Sequence, residues 1–170
     1  MVVVVTGVWE RGIQDAPRAP GRSRYWADWS VGWLQVAFRT CAEERERVVF
    51  QMGTADPARA VLVAKLVQHD VFGIDVNMGC PKPFSVKGGM GSALLRRPDD
   101  VRSILTALVQ GLPHKPITCK IRLLPTFEET LALCELIQST GVVAVGIHGR
   151  FTEQAGGPVY LSSSVLAPAV

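Results

Sequence analysis

Four polar side chains each lie close to the end of a short apolar run that is typical of a buried strand. They are Gln51, Asn77, Lys120 and His148. In parallel α/β proteins the carboxyl ends of the strands meet at one edge of the sheet, and ligands bind at that edge. We therefore expect these four side chains to line one binding site.

The thiol of Cys80 is the most reactive group in this neighbourhood. It lies between Gly79 and Pro81, shortly after Asn77. The glycine-rich segment from Lys87 to Gly91 predicts a flexible loop, in which residues without a Cβ atom let backbone N–H groups approach a ligand. A plain turn needs no cysteine at this position, so the sequence favours a chemical role for Cys80.

Side-chain alternation groups further polar residues with these candidates. Asp75 and Asn77 are two residues apart, and so are Thr118, Lys120 and Arg122. Successive side chains of a strand point to opposite faces, so each group shares one face of its strand. We expect both faces to point into the mouth of the same site.

Several of these residues also have a purely structural interpretation. Gln51 could hydrogen-bond a neighbouring strand, and a buried Lys120 could pair with Asp75 because a buried ammonium group needs a partner. A histidine such as His148, taken alone, is more often structural than functional. The functional interpretation depends on the coincidence of all the strand ends.

Strands that alternate with helices make up the chain from Arg47 onward. Strands are predicted at 48–52, 73–78, 117–121 and 142–147. Helix starts are indicated by Asp56-Pro57, by Pro98, and by a capping box formed by Thr126 and Glu129. Four strands separated by helices predict parallel pairing, and hence an α/β fold.

Length and composition restrict the class of protein. The chain has 170 residues, a net charge of +3 and 48% hydrophobic residues, which indicates a globular domain. The mildly basic charge by itself indicates no polyanion partner but permits one. A closed eight-stranded α/β barrel usually needs about 250 residues. No apolar run reaches the about 18 residues of a membrane span, and the start of the chain does not match a signal peptide.

The four cysteines indicate a reducing, intracellular location. They show neither a C-x-x-C pair nor the spacing of a zinc site, so no metal or disulfide framework is expected. Cys119 and Cys134 lie inside a predicted strand and helix, where cysteines usually pack as small hydrophobic residues.

Several ordered motifs resemble one family of flavoenzymes. They are FRTCAEERERVVFQMGT, GIDVNMGCPKPFSVKGGMGSALL, ITCKIRLLP and VGIHGR. From about Phe38 to Arg150 the chain resembles the tRNA-dihydrouridine synthases, which have a TIM-barrel catalytic domain, and is most similar to the eukaryotic enzymes that act on position 20 of the D-loop. Dihydroorotate dehydrogenases also carry Asn-x-x-Cys-Pro on a flavin barrel, but the Lys-Gly-Gly-Met-Gly continuation favours the tRNA enzymes.

The resemblance implies a role for each candidate in reducing uridine to 5,6-dihydrouridine. Reduced FMN delivers hydride to uracil C6, and Cys80 is the general acid that protonates C5. Free cysteine thiols, with a pKa of about 8.5, are protonated near neutral pH and suit that task. Gln51, Lys120 and His148 would hold FMN, and Asn77 would contact a uracil that has left its stack.

The same resemblance implies tRNA as substrate and NADPH as reductant. A cationic rim would meet tRNA phosphates, and Arg150 could also help to hold the flavin. The rim consists of Lys82, Lys87, Arg122 and Arg150. The location implied is cytoplasmic, with no membrane partner.

The matched region predicts only part of the family's barrel. We expect a partial TIM (β/α)8 barrel of about four parallel strands in residues 36–151, truncated or divergent at both ends. Residues 1–35, which hold all four tryptophans, predict a poorly ordered extension or an arginine-rich arm, and 152–170 an unmatched tail. Alternative hypotheses are another FMN-barrel pyrimidine oxidoreductase of the dihydroorotate type, or an inactive truncated product or binding module. Whether a partner chain completes the barrel stays open.

Overall fold

A computed structural model describes residues 2–5, 26–31 and 35–154, and a parallel sheet of five strands lies at their centre. The strands of these residues are β1 (Val2–Val5), β2 (Trp26–Val31), β3 (Gln35–Cys41), β4 (Val48–Met52), β5 (Gly73–Asn77), β6 (Ile117–Leu123) and β7 (Ala144–Phe151). The helices are α1 (Pro57–Val67), α2 (Pro83–Lys87), α3 (Pro98–Gly111) and α4 (Phe127–Gln138), with short 3-10 helices at Ala42–Glu44, Gly91–Arg96 and Thr152–Gln154.

The sheet has the strand order of a barrel. Its order is β1-β4-β5-β6-β7, all neighbours are parallel, and β2 pairs with β3 in a separate antiparallel hairpin. In a doubly wound sheet the order would reverse, whereas here it follows the chain, as in a (β/α)8 barrel. The predicted partial barrel with four parallel strands and intervening helices is confirmed, and β1 adds a fifth strand beside β4.

Local sequence signals set the helix starts. The side chain of Asp56 caps α1 by accepting a hydrogen bond from the Arg59 amide at 2.9 Å. Thr126 and Glu129 form the predicted capping box at the start of α4. Each cap satisfies amide groups that the first helical turn leaves without partners, so these boundaries agree with the prediction.

The two faces of the sheet differ sharply in polarity. One face is apolar and packs against α1, α3 and α4 in a single core, which includes Phe50, Val76 and Ile121. The hairpin strand β3 joins this core, because the ring of Phe38 meets that of Phe50 edge to face at 5.0 Å. The other face carries the polar candidates, since Gln51, Asp75, Thr118 and their strand neighbours stand next to one another in the register.

The segment after Cys80 is folded rather than an open flexible loop. Pro83 begins the short helix α2, and the Met90 amide donates to the Ser85 carbonyl at 2.9 Å. Proline favours the first helical position because its φ is already helical and its missing N–H is not needed there. The glycines of this segment serve tight turns, and Gly89 and Gly91 both have positive φ.

The domain boundaries predicted at 36 and 151 stay predictions. Within residues 1–35 the structure describes β1 and β2, and most of this segment and of the tail 152–170 lies outside the described residues. None of the described helices has the length and apolar character that crossing a membrane requires.

Candidate active site

A hydrogen-bonded network of buried and partly buried side chains joins three neighbouring strands. The Asp75 carboxylate on β5 accepts from Gln51 Nε2 on β4 and from Thr118 Oγ1 on β6, both at 2.6 Å. Gln51 Oε1 in turn accepts from Asn77 Nδ2 at 3.1 Å. Gln51 and Asp75 are only 4% and 8% exposed, so water hardly competes with these bonds.

The network ends on the backbone that carries the Cys80 thiol. Asn77 Oδ1 accepts from the amides of Gly79 at 3.1 Å and of Cys80 at 3.0 Å. The Cys80 carbonyl accepts from the Ser92 amide at 2.9 Å. Both backbone polar groups of Cys80 are therefore held, and its partly exposed side chain projects from a fixed position at the strand end.

Arg122 joins the loop before Cys80 to the last strand. Its Nε donates to the Gly79 carbonyl at 2.6 Å, and its Nη1 donates to the Phe151 carbonyl at 3.2 Å. Nearby, the Met78 amide donates to the Lys120 carbonyl at 2.8 Å and extends the pairing of β5 with β6. One guanidinium thus connects the carboxyl ends of β5, β6 and β7.

A cluster of basic side chains surrounds His148. Arg122 lies beside His148 in the register of β6 and β7, and Lys120 lies beside Asn77 in that of β5 and β6. Burial lowers the pKa of His148, and the charges of Arg122, Lys120 and Arg150 lower it further. An imidazole in this environment stays neutral near neutral pH, and the cluster around it favours a negatively charged ligand.

Two atoms of this cluster are buried and have no hydrogen-bond partner within the described part of the chain. They are Nδ1 of His148 and Nε of Arg150. Buried polar atoms are nearly always paired in folded proteins. These two therefore indicate a place where a polar ligand would complete the site.

The two lysines of the predicted rim lie on the segment after Cys80. Lys82 precedes α2 and Lys87 is its last residue, and both are exposed. Between them Phe84 is exposed and Ser85 is buried. Both ammonium groups therefore face solvent on the side of the site formed by α2.

A comparison with protein families decides what kind of protein carries this site. The family model described as Dihydrouridine synthase (Dus) matches residues 31–159, which is more than half of the chain. The chain belongs to the dihydrouridine synthase family. All of the candidate site residues lie inside the matched range.

Individual dihydrouridine synthases are also similar to this chain. It is 54% identical over 121 residues to the tRNA-dihydrouridine(20) synthase of Schizosaccharomyces pombe, covering 69% of this chain and 25% of that relative. It is 49% identical over 122 residues to the tRNA-dihydrouridine(20) synthase of Saccharomyces cerevisiae, covering 69% and 32%. The Schizosaccharomyces pombe tRNA-dihydrouridine(16/17) synthase is 36% identical over 118 residues, covering 69% and 29%. All three names include NAD(P)+, and the chain spans between a quarter and a third of each relative.

The structure contradicts the purely structural interpretation of Lys120 and agrees with that of Gln51. Lys120 is exposed, and Asp75 accepts its hydrogen bonds from Gln51 and Thr118, so pairing of a buried Lys120 with Asp75 is wrong. An exposed ammonium is hydrated and needs no buried partner. Gln51 does hydrogen-bond the neighbouring strand, as that interpretation expected.

Asp75 and Thr118 lie on the polar face of the sheet, as their spacing predicted. The sequence did not predict that they hold the network together. Their signal was the alternation of polar residues within otherwise apolar strands, Asp75 with Asn77 and Thr118 with Lys120. Such alternation predicts a shared face, but the partners across strands depend on the register.

Two other cysteines of the matched region, Cys119 and Cys134, behave as packing residues. Cys119 is 1% exposed in the core, and burial, with the nearby charge of Asp75, raises the pKa of its thiol. Cys134 packs against the same core, and burial raises its pKa as well. Among the described residues, no group of three or more His, Cys, Asp or Glu side chains could hold a metal ion.

Proposed function

We propose that this chain carries the general acid and a portion of the FMN site of a tRNA-dihydrouridine synthase. The reaction is the reduction of uridine in tRNA to 5,6-dihydrouridine. The observation that carries the proposal is the position of Cys80, whose backbone is held at the polar edge of the sheet beside a basic cluster. The family match and the names of the relatives support the same chemistry.

The proposed role of Cys80 is to donate a proton to C5 of uracil. FMN, when bound in its reduced form, supplies the hydride that C6 receives. The partly exposed thiol then gives up its proton, and the resulting thiolate regains one from solvent. The hydrogen bonds to the amide and the carbonyl of Cys80 limit how far Sγ can move. A restricted Sγ favours a fixed approach to one carbon of the uracil.

The donor groups of the basic cluster fit FMN. His148 offers a buried Nδ1 without a partner, and Lys120 offers an exposed ammonium at the same edge. Positive charge there would stabilise negative charge on the reduced flavin, which is the usual contribution of the protein in such enzymes. Gln51 is the third proposed contact, because it lies next to Asp75 at the same polar edge of the sheet.

The tRNA would approach from the side of α2. Lys82 and Lys87 are exposed there, and Arg150 adds charge beside His148. Phosphate contacts of this kind position the nucleic acid without reading its sequence. Arg122 would add charge to the rim, and the partly exposed Asn77 would contact the uracil. NADPH as electron donor and a cytoplasmic location belong to the same proposal.

Replacement of the proposed acid tests the function directly. Cys80→Ala should abolish dihydrouridine formation in a tRNA transcript while a flavin titration shows unchanged FMN binding. Cys134→Ala on α4 is the matched control and should leave both measurements unchanged. Dihydrouridine formation by the Cys80→Ala chain would overturn the assignment, and loss of flavin in that variant would reassign Cys80 to cofactor binding.

A further inference from the structure

We propose that Asp75 is a positioning residue, which sets the place of Cys80 through the amides of Gln51 and Asn77. The inference rests on the proposed role of Cys80 as proton donor. It assigns to the buried carboxylate a function that the family match does not supply.

The chemistry of a carboxylate sets the direction of the hydrogen bonds around it. An ionised carboxylate only accepts hydrogen bonds, whereas each side-chain amide has one accepting and one donating end. Asp75 therefore requires Gln51 to present Nε2 toward it, at the observed 2.6 Å. That orientation turns Gln51 Oε1 toward Asn77.

The same constraint passes along the network to the thiol. Because Gln51 presents an oxygen, Asn77 must present Nδ2 to it, at the observed 3.1 Å. Asn77 Oδ1 then faces the amides of Gly79 and Cys80, which can only donate. The acceptor at position 75 and the two backbone donors thus favour the same orientations of both amides, and Asp75 is the group that holds the Gln51 end.

An amide in place of the Asp75 carboxylate would no longer favour one orientation of the Gln51 and Asn77 amides. A carboxamide at position 75 has a donating end, which can face either the Thr118 hydroxyl or Gln51 Nε2. In the second orientation it favours rotation of the Gln51 amide, whereas a carboxylate accepts from Gln51 in either orientation. Rotation of Gln51 favours rotation of Asn77, which would set a donor against the Cys80 amide. Burial makes such mismatches expensive, since water cannot repair them. The expected consequence is a looser Cys80 segment.

The rate of Cys80 alkylation by iodoacetamide measures this position without flavin or tRNA. Peptide mass spectrometry of the full 170-residue chain gives separate rates for Cys80 and Cys134. Asp75→Asn should speed alkylation of Cys80 by a factor of about 5, the scale set by one net hydrogen bond. The Cys134 rate should stay at the wild-type value.

A reciprocal exchange provides the rescue. Gln51→Glu combined with Asp75→Asn returns one carboxylate and one amide to the pair with their positions reversed. The new carboxylate accepts from the introduced amide and from Asn77 Nδ2, so Asn77 keeps its orientation. The double variant should therefore restore the wild-type Cys80 rate.

Thr118→Val separates positioning from general destabilisation. It removes the hydroxyl that donates to Asp75 at 2.6 Å but leaves the carboxylate and both amides in place. We expect lower stability with an unchanged Cys80 rate.

Three results would overturn the proposal: an unchanged Cys80 rate in Asp75→Asn, equal acceleration of Cys80 and Cys134, or equal acceleration by Thr118→Val. If Asp75→Asn does not fold, the double variant decides alone. A folded double variant with the wild-type rate supports the proposal, and an unfolded one rejects it. These results are independent of whether Cys80→Ala abolishes dihydrouridine formation, so the proposed function and the positioning role can fail separately.

Discussion

The guanidinium of Arg122 donates from Nε to the carbonyl oxygen of Gly79 at 2.6 Å, one residue before the proposed acid. A second bond, from Nη1 to the Phe151 carbonyl at 3.2 Å, ties the same group to the end of β7. Arg122 therefore holds the loop that leads to Cys80, in addition to its proposed place in the cationic rim.

Arg122→Lys should destabilise the chain, because an ammonium cannot reproduce the fork that reaches two carbonyl groups. The expected loss is about 1.5–3 kcal/mol, the range for hydrogen bonds that involve a charged group. Urea denaturation followed by circular dichroism measures it. Arg102→Lys on α3, whose guanidinium bonds Ser139 at the surface, is the control and should change stability little. Unchanged stability together with weaker tRNA binding would make Arg122 a phosphate ligand alone.

Gly91→Ala should destabilise the turn that packs against Cys80. Gly91 has a φ of +59°, and an added Cβ would lie 2.5 Å from both the Cys80 carbonyl oxygen and Ser85 Oγ. Residues other than glycine in such conformations cost about 1–3 kcal/mol before any clash is counted. Urea denaturation should show a loss of at least this size. Gly149→Ala is the matched control, since nothing lies within 4 Å of its added Cβ; equal losses in both variants would contradict the assignment.

The imidazole of His148 should titrate below the ordinary histidine value of about 6.5, because burial and three basic side chains lower its pKa. Proton NMR of the histidine ring signals measures the titration. Lys120→Met removes one of the three charges and should raise the pKa of His148. Lys65→Met on α1 is the control and should leave it unchanged; the opposite pattern would show that Lys120 lies too far away to act on the imidazole.

The lowered pKa of His148 also predicts how the stability of the fold changes with pH. A folded-state pKa below the unfolded value means that the unfolded chain binds more protons in this window. The contribution of His148 to stability is therefore present above about pH 6.5 and is lost as the pH falls through the folded-state pKa. His148→Gln should flatten the acid side of the stability curve, and an unchanged slope would contradict the pKa direction.

Thr126→Ala should shorten or weaken α4. Its hydroxyl accepts from the Glu129 amide at 3.2 Å, and the Glu129 carboxylate accepts from the Thr126 amide at 3.1 Å. Loss of an N-cap of this kind costs about 1 kcal/mol. Thermal denaturation compares it with Thr126→Ser, which keeps the hydroxyl and should retain most of the stability. A serine variant as unstable as the alanine variant would show that the methyl group, not the cap, stabilises the helix start.

Local signals made much of the fold predictable. The apolar run at Val48–Met52, the proline at the start of α3 and the capping box at Thr126 each determine a conformation within a few residues. The polar strand ends likewise predicted a shared edge, because parallel strands bring their carboxyl ends together.

The segment after Cys80 has a conformation that its local sequence does not fully predict. Its glycines suggested a flexible loop, yet Gly91 is required by a close approach to the Cys80 carbonyl and Ser85. Pro83 was a usable signal for the start of α2. The close approach itself joins residues eleven positions apart (91 minus 80), which glycine content alone does not predict.

By itself, the sequence determined which residue types stand at the strand ends and which family they resemble, because both are properties of order along the chain. Only the tertiary structure decided that Asp75 is held by Gln51 and Thr118, that Lys120 is exposed, and that Asn77 is turned toward Cys80. The physical reason is that strand register selects which side chains become neighbours. Directional hydrogen bonds between those neighbours then decide how each polar group points.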